Sequence, residues 1–297
     1  MSLALTSDPH KNTQTRGTRG RRWLFNGATA AVGVVVLFWT LLPVYNMLLL
    51  AFSDDPEEFD ATVWLHDISF EGFTQIWSGE SWYLEHFWNQ FGNSIIIGFG
   101  TMALTVGIGA LASFAIGRMG LRRGWTIGSV SLAIYAVPAS FLVIPFARLM
   151  HAYGLSDTLF SVIASQVTFA LPYAVLILYQ YGKLIPLELD ESARVDGATP
   201  VQIFYKIYLP LMAPALAAVA TYSLLLAWNE YLYQFVLLSS DRSMTVAAGI
   251  NQFFDADEAP WNYLMSVAVT FSLPPIIVYY LLRRYMVAGL TMGGVKG

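Results

Sequence analysis

Few side chains in this sequence are of a kind that does chemistry, and their spacing narrows what that chemistry is. Glu230 is the one acid inside an apolar stretch long enough to cross a bilayer, and an ionisable group at that depth is a functional candidate by default. Asn229 beside it, and Asn93 in an earlier apolar stretch, carry amides able to bind the hydroxyls of a passing solute. Helix–helix hydrogen bonding, or a water-facing end of the stretch, accounts for the same three residues equally well. The histidines, His10, His66, His86 and His151, are scattered without a helical pairing of ligands, and cysteine is absent. No metal site and no disulfide framework is therefore expected. Nothing matches Gly-x4-Gly-Lys-Ser/Thr, so the chain has no motif of its own for holding nucleotide phosphates. The apolar stretches hold no paired catalytic constellation.

The elements that must carry these residues follow from bulk composition. Hydrophobic residues make up 56% of the 297 and charged residues only 12%, roughly half the charged share of an ordinary soluble domain. Because backbone polar groups in lipid must be satisfied internally, apolar runs of about 20 residues read as spanning helices. Six are expected, near 24–52, 92–117, 126–149, 158–181, 212–238 and 262–283. Pro138, Pro145 and Pro172 interrupt the third and fourth. The fold class is an all-α polytopic membrane protein: an N-terminal tail over 1–23, a membrane domain over 24–288 and a C-terminal tail over 289–297. Gly98, Gly107 and Gly109 in the second span read as sites of close helix packing.

Charge placement orients this layout. With both termini cytoplasmic, the inner segments hold every Lys and Arg except Arg148 and Arg242. That is the bias of the positive-inside rule, and changing the span count by one would destroy it. The basic run Lys11, Arg16, Arg19, Arg21, Arg22 accordingly reads as a topology signal rather than a nucleic-acid arm. The first apolar stretch is too long for a signal-peptide core, and no small-residue cleavage site follows it. Residues 53–91, outside, are acidic and carry Trp64, Trp77, Trp82 and Trp88. A solvated loop with interfacial aromatics and a docking surface for an external partner both fit.

The inner loop between the fourth and fifth spans, 182–211, reads as two short helices joined by an elbow. Pro186 suits a helix first turn, and Glu188, Asp190 and Glu191 lie near the positive end of its dipole. Gly197 sits where a helix would end in a left-handed residue. Thr199, Pro200 and Gln202 spell an N-cap, a first-turn proline and a capping-box partner. Val201, Phe204, Ile207 and Tyr208 recur at helical spacing, and Pro210 and Pro214 close the second helix. Such a pair has little core of its own. It is either an interfacial linker or a ball for a partner's socket.

The run Glu191-Ser-Ala-Arg-Val-Asp-Gly-Ala198, followed by Phe204, Ile207, Leu209 and Pro210, closely resembles the EAA loop of ABC importer permeases. Glu191, Ala193, Gly197, Ile207, Leu209 and Pro210 fit that pattern; Ser192 replaces its middle alanine, which still permits close packing. Ala227-Trp-Asn-Glu-Tyr-Leu-Tyr233 is similar to a segment of carbohydrate permeases, and Gly289 to Gly297 look like the tail of the maltose-type, MalG-like members. The resemblance covers the chain from about residue 20 onward. It implies one half of a heterodimeric channel, paired with a second, different permease and worked by two ATPase subunits that carry ATP and Mg. A periplasmic solute-binding protein would deliver the cargo; no cofactor and no nucleic acid belongs to this chain.

The same resemblance assigns roles. Glu191 and Asp196 would offer charge-assisted hydrogen bonds to the ATPase, Gly197 would allow the elbow, and Phe204 would pack into the socket, with Ala193, Ile207 and Pro210 completing the motif. The tail residues Gly293, Gly294 and Lys296 would insert between the ATPase subunits, although a frayed end also explains three glycines there. The outer loop 239–262, through Asn251, Gln252, Asp255 and Asp257, would meet the binding protein, or is simply solvated. Asn93, Asn229 and Glu230 would line the pathway for a carbohydrate. The same machine carrying glycerol phosphate or an anionic sugar derivative is the neighbouring possibility. An ion channel or intramembrane enzyme is a third, but a channel needs no EAA loop.

Overall fold

The computed structural model describes residues 14–54, 64, 67–119, 126, 130, 132–240, 242–254 and 260–293. Lys11, Arg122, Arg123, Asp255, Asp257, Gly294 and Lys296 lie outside the described residues. Within them the chain is helical, with no strand. Its elements are α1 (Gln14–Ala51), α2 (Glu71–Ser78), α3 (Phe87–Arg118), a 3-10 turn (Leu132–Ala136), α4 (Ala139–Ala152), α5 (Leu159–Gly182), α6 (Glu188–Val195), α7 (Pro200–Leu211), α8 (Ala213–Trp228), α9 (Leu232–Leu237), α10 (Val246–Gly249) and α11 (Trp261–Gly293).

Four of these contain stretches long and apolar enough to cross a membrane: Phe25–Ala51, Phe87–Arg118, Leu159–Gly182 and Trp261–Met286. They match the first, second, fourth and sixth expected spans. Pro172 does not break α5, which runs unbroken from its Thr158 cap to Gly182. The third expected span, 126–149, is interrupted: among the described residues Thr126 and Val130 are helical, the 3-10 turn follows, and α4 begins after Pro138, with Pro145 inside α4 without ending it. Fourteen residues reach about 21 Å, short of the roughly 30 Å of hydrocarbon a full span needs. The fifth expected span, 212–238, is also broken. Helix α8 ends at Trp228, α9 restarts at Leu232, and α7 meets α8 at a 77° bend.

The bundle is held by close approaches along α3. It packs on α5 and α8, α8 packs on α5 and α11, and α1 lies on α11. A Cβ at Gly98 would stand 3.0 Å from Leu224 and Trp228 of α8, and one at Gly109 would stand 3.2 Å from Leu178 of α5. These two glycines let the backbones meet. A Cβ at Gly107 would meet nothing within 4 Å among the described residues, so this glycine does not mark a helix contact within them. From Phe25 onward, helix α1 buries only its last turn, Leu49 to Ala51, and exposes Val32 to Leu42. Helix α11 extends past the expected end at 283 through Gly293, so the first part of the tail is helical rather than frayed.

Candidate functional site

The segment between α5 and α8 folds as the local chemistry dictates. Helix α6 opens with Glu188, Asp190 and Glu191 in its first turn, where the exposed N–H groups favour acids. It ends in a left-handed glycine: Gly197 has φ +83. The Gly197 N–H donates to the Arg194 carbonyl at 3.0 Å and the Ala198 N–H to the Ala193 carbonyl at 2.9 Å, the paired bonds of a Schellman stop. One residue on, the Gln202 N–H donates to the Thr199 hydroxyl at 3.3 Å and the Thr199 N–H to the Gln202 side-chain oxygen at 2.8 Å. That reciprocal cap, with Pro200 in the first turn, starts α7. A π turn over Phe204–Tyr208, not foreseen from the spacing, carries α7 to Pro210 and Leu211.

This π turn changes which side chains face outward. Phe204 is 6% exposed and stacks edge-on to Phe114 of α3 at 5.2 Å. With Ile203, Tyr208 and Met212 it joins the cluster of Ala110, Ala174 and Leu178. It therefore roots the helix pair in the bundle and cannot be the residue that fills a partner's socket. Ala193 is half-buried against the same cluster, and Ile207 is half-buried as well. What the pair presents outward is Glu191 and Asp196, together with Val195 (89% exposed), Val201 and Tyr205. The spacing grouped Val201 with Phe204, which the structure separates, and it gave no sign of Tyr205, which lies in the π turn.

Sequence reasoning missed Arg118, the last residue of α3. Its guanidinium donates to the carbonyls of Gly182 at 3.2 Å and Ile185 at 2.9 Å. It also faces the Asp190 carboxylate at 3.5 Å, both side chains being almost wholly buried. Below it the Tyr208 hydroxyl bonds the Ser113 hydroxyl at 3.2 Å.

The residues expected to line a pathway separate. Asn93 is buried, and its amide nitrogen donates to the carbonyls of Arg242 and Met244, each at 2.8 Å. It ties α3 to the 239–246 loop and has no donor left for a solute. Glu230 is not inside a continuous helix: it sits at the break after α8. Its carboxylate accepts the Tyr233 N–H at 2.9 Å and the Gln234 N–H at 3.2 Å, restarting the chain as α9. Asn229 is exposed and returns its amide to the Leu225 carbonyl. Asn251 donates to the Tyr231 hydroxyl, so a residue expected at the outer loop stands beside the break that holds Asn229 and Glu230. Gln252 is half-buried against Met244.

The segment that follows α9 has its own fastening. Asp157, with φ 55, accepts the Ser239 N–H at 2.8 Å, the Ser240 N–H at 3.2 Å and the Ser243 hydroxyl. Partial desolvation opposes ionisation, but these donors outweigh it and hold the carboxyl at about 2, below the usual carboxylate value. Among the described residues no group of acids and histidines could hold a metal ion.

Residues 105–291 match the family described as "binding-protein-dependent transport system inner membrane component". The chain is 31% identical to the inner membrane ABC transporter permease protein YcjP of Escherichia coli, over 88% of this chain and 93% of that one. It is 31% identical to the trehalose transport system permease protein SugB of Mycobacterium tuberculosis, over 90% and 97%. It is 32% identical to the diacetylchitobiose uptake system permease protein DasC of Streptomyces coelicolor, over 93% and 100%. Among solved structures, a chain of a bacterial ABC transporter that imports the acidic polysaccharide alginate superposes with TM-score 0.74 at 20% identity, over 91% of this chain and 98% of that one. This last likeness is one of fold.

Proposed function

As this chain belongs to the family of binding-protein-dependent transport system inner membrane components, we propose that it is one half of the membrane channel of an ATP-driven importer for a carbohydrate. The observation that carries the coupling mechanism is the helix pair α6–α7. It is rooted in the bundle by Phe204 and Tyr208 yet offers Glu191, Val195, Asp196, Val201 and Tyr205 to whatever lies beyond it. The carbohydrate cargo is supported by the relatives named for trehalose, diacetylchitobiose and arabinooligosaccharide transport.

In this reading both termini and the helix pair face the cytoplasm, and the chain crosses six times, the third and fifth crossings being broken ones. Two ATPase subunits bind ATP and Mg and close on each other. One of them grips α6–α7 as a knob, with Glu191 and Asp196 making charge-assisted hydrogen bonds and the exposed apolar residues giving up their water. A second, different permease completes the channel. A periplasmic binding protein brings the sugar to the outer face, where Asn251 and the break at Asn229–Glu230 lie together. Asp255 and Asp257 belong to that same outer loop, and Gly293, Gly294 and Lys296 to a tail that reaches the ATPase pair. Hydrolysis resets the lever, so access alternates across the membrane.

The test is reconstitution of the chain in lipid vesicles with the permease, ATPase and binding protein encoded beside it. Uptake of an oligosaccharide that the binding protein retains should require ATP and all the subunits. Gly197→Asp, or Glu191→Gln combined with Asp196→Asn, should leave the chain in the membrane while ATP hydrolysis and uptake come apart. Coupled uptake of normal rate in those variants would refute the role of the helix pair.

A further inference from the structure

The cytoplasmic lever of such an importer must be stiff where it joins the bundle, and we infer that Arg118 is the positioning residue that makes it so. This inference rests on the coupling role proposed for α6–α7. One guanidinium, at the end of α3, reaches three places. It binds the Gly182 carbonyl at the end of α5, the Ile185 carbonyl in the connection to α6, and the Asp190 carboxylate in the first turn of α6. Its carbon lies 5.7 Å from the centre of the Tyr208 ring in α7, and Tyr208 in turn bonds Ser113 of α3. The planar fork of arginine suits two carbonyls and a carboxylate at once, whereas lysine supplies a single point of charge.

The energetics favour a positional role over simple stabilisation. Both charged side chains are at most 4% exposed, the separation is 3.5 Å, and neither Asp190 oxygen accepts a hydrogen bond among the described residues. A pair buried under those terms returns little net stability against its desolvation, and what it does supply is a fixed geometry. One carbonyl bond serves the end of α5, at Gly182, whose C=O has no partner inside the helix, and the other holds the connection at Ile185. Gly182 is required here: a Cβ would stand 2.7 Å from the Tyr208 hydroxyl. A force applied to the outer face of α6 thus passes through Asp190 and Arg118 to α3, the helix that packs on both α5 and α8.

Asp190→Asn keeps the shape and removes the charge, and its measure is solute imported per ATP hydrolysed by the complete reconstituted importer. The expected result is an assembled complex that still hydrolyses ATP but whose import per ATP falls by at least about fivefold, the lower end of the usual coupling between linked sites. An assembled Asp190→Asn complex with the wild-type ratio overturns the inference, even if Arg118→Met fails to assemble. Should Asp190→Asn itself not assemble, Arg118→Lys decides in its place. It keeps the charge, but its three donors radiate from one atom on a differently shaped chain instead of a planar fork, so its ratio should also drop, and a wild-type ratio overturns the inference. A wild-type complex with no ATP-driven uptake would instead defeat the proposed function.

Discussion

Two glycines and an aspartate show how much rests on single backbone positions. Gly197 has open space around a would-be Cβ, yet its φ of +83 is one that L side chains rarely adopt. Gly197→Ala should cost about 1–2 kcal/mol of helix-pair stability, and Gly197→Asn less, because asparagine tolerates the left-handed region. Amide exchange over residues 188–203 would rank them. Gly182 is the opposite case, limited by contact. Gly182→Ala must displace Tyr208, which should lower the thermal midpoint by an overpacking cost of about 1–3 kcal/mol. Asp157 adds a pH dependence. Its folded value of about 2 lies below the ordinary 3.8, so its contribution is full above 3.8 and is lost as pH falls through about 2. Asp157→Asn should flatten acid unfolding in that window, read by intrinsic tryptophan fluorescence of the purified subunit; an unchanged acid limb would remove the cluster from the account.

At the scale of elements, the two broken spans have identifiable causes. Pro138 stands immediately before α4, and Glu230 captures the first free N–H groups of α9. Glu230 therefore has a structural job whatever else it touches, and the two roles separate by substitution. Glu230→Gln retains an oxygen for the Tyr233 N–H and should leave thermal stability nearly intact, whereas Glu230→Ala loses the cap at a cost of about 1 kcal/mol. If the carboxylate also meets the cargo, Glu230→Gln should raise the solute concentration for half-maximal uptake. Equal stability of all three proteins would deny the capping role. The cap of α7 was legible in advance from Thr199, Pro200 and Gln202, since every atom it uses lies within four residues. The π turn that follows was not, because its register is set by Phe204 and Tyr208 seating against Phe114.

For the whole molecule, the bundle is a set of apolar helices whose outer faces meet lipid or a partner, with a polar fastening at each end. Asp157 and Asn93 tie the segment that follows α9 at one end, and Arg118 ties the helix pair at the other. Helix α11 packs on α1 and α8 and continues to Gly293, beyond its apolar stretch Trp261–Met286, so truncation after Gly289 should leave membrane insertion intact while lowering coupled uptake. Normal uptake by the truncated chain would show the tail to be dispensable.

Hydropathy and charge by themselves determined that this is a multi-spanning membrane chain. The run from Glu191 to Pro210 determined its family, because that pattern is local and long. Four spans were legible for the same reason: twenty apolar residues in lipid leave the backbone no alternative to a helix. The inward turn of Phe204, the commitment of Asn93 to loop carbonyls and the Arg118–Asp190 pair were decided only by tertiary structure. Each joins residues far apart in the chain, or depends on which of several locally acceptable conformations packs best against a neighbouring helix, and neither is written in the spacing of one segment.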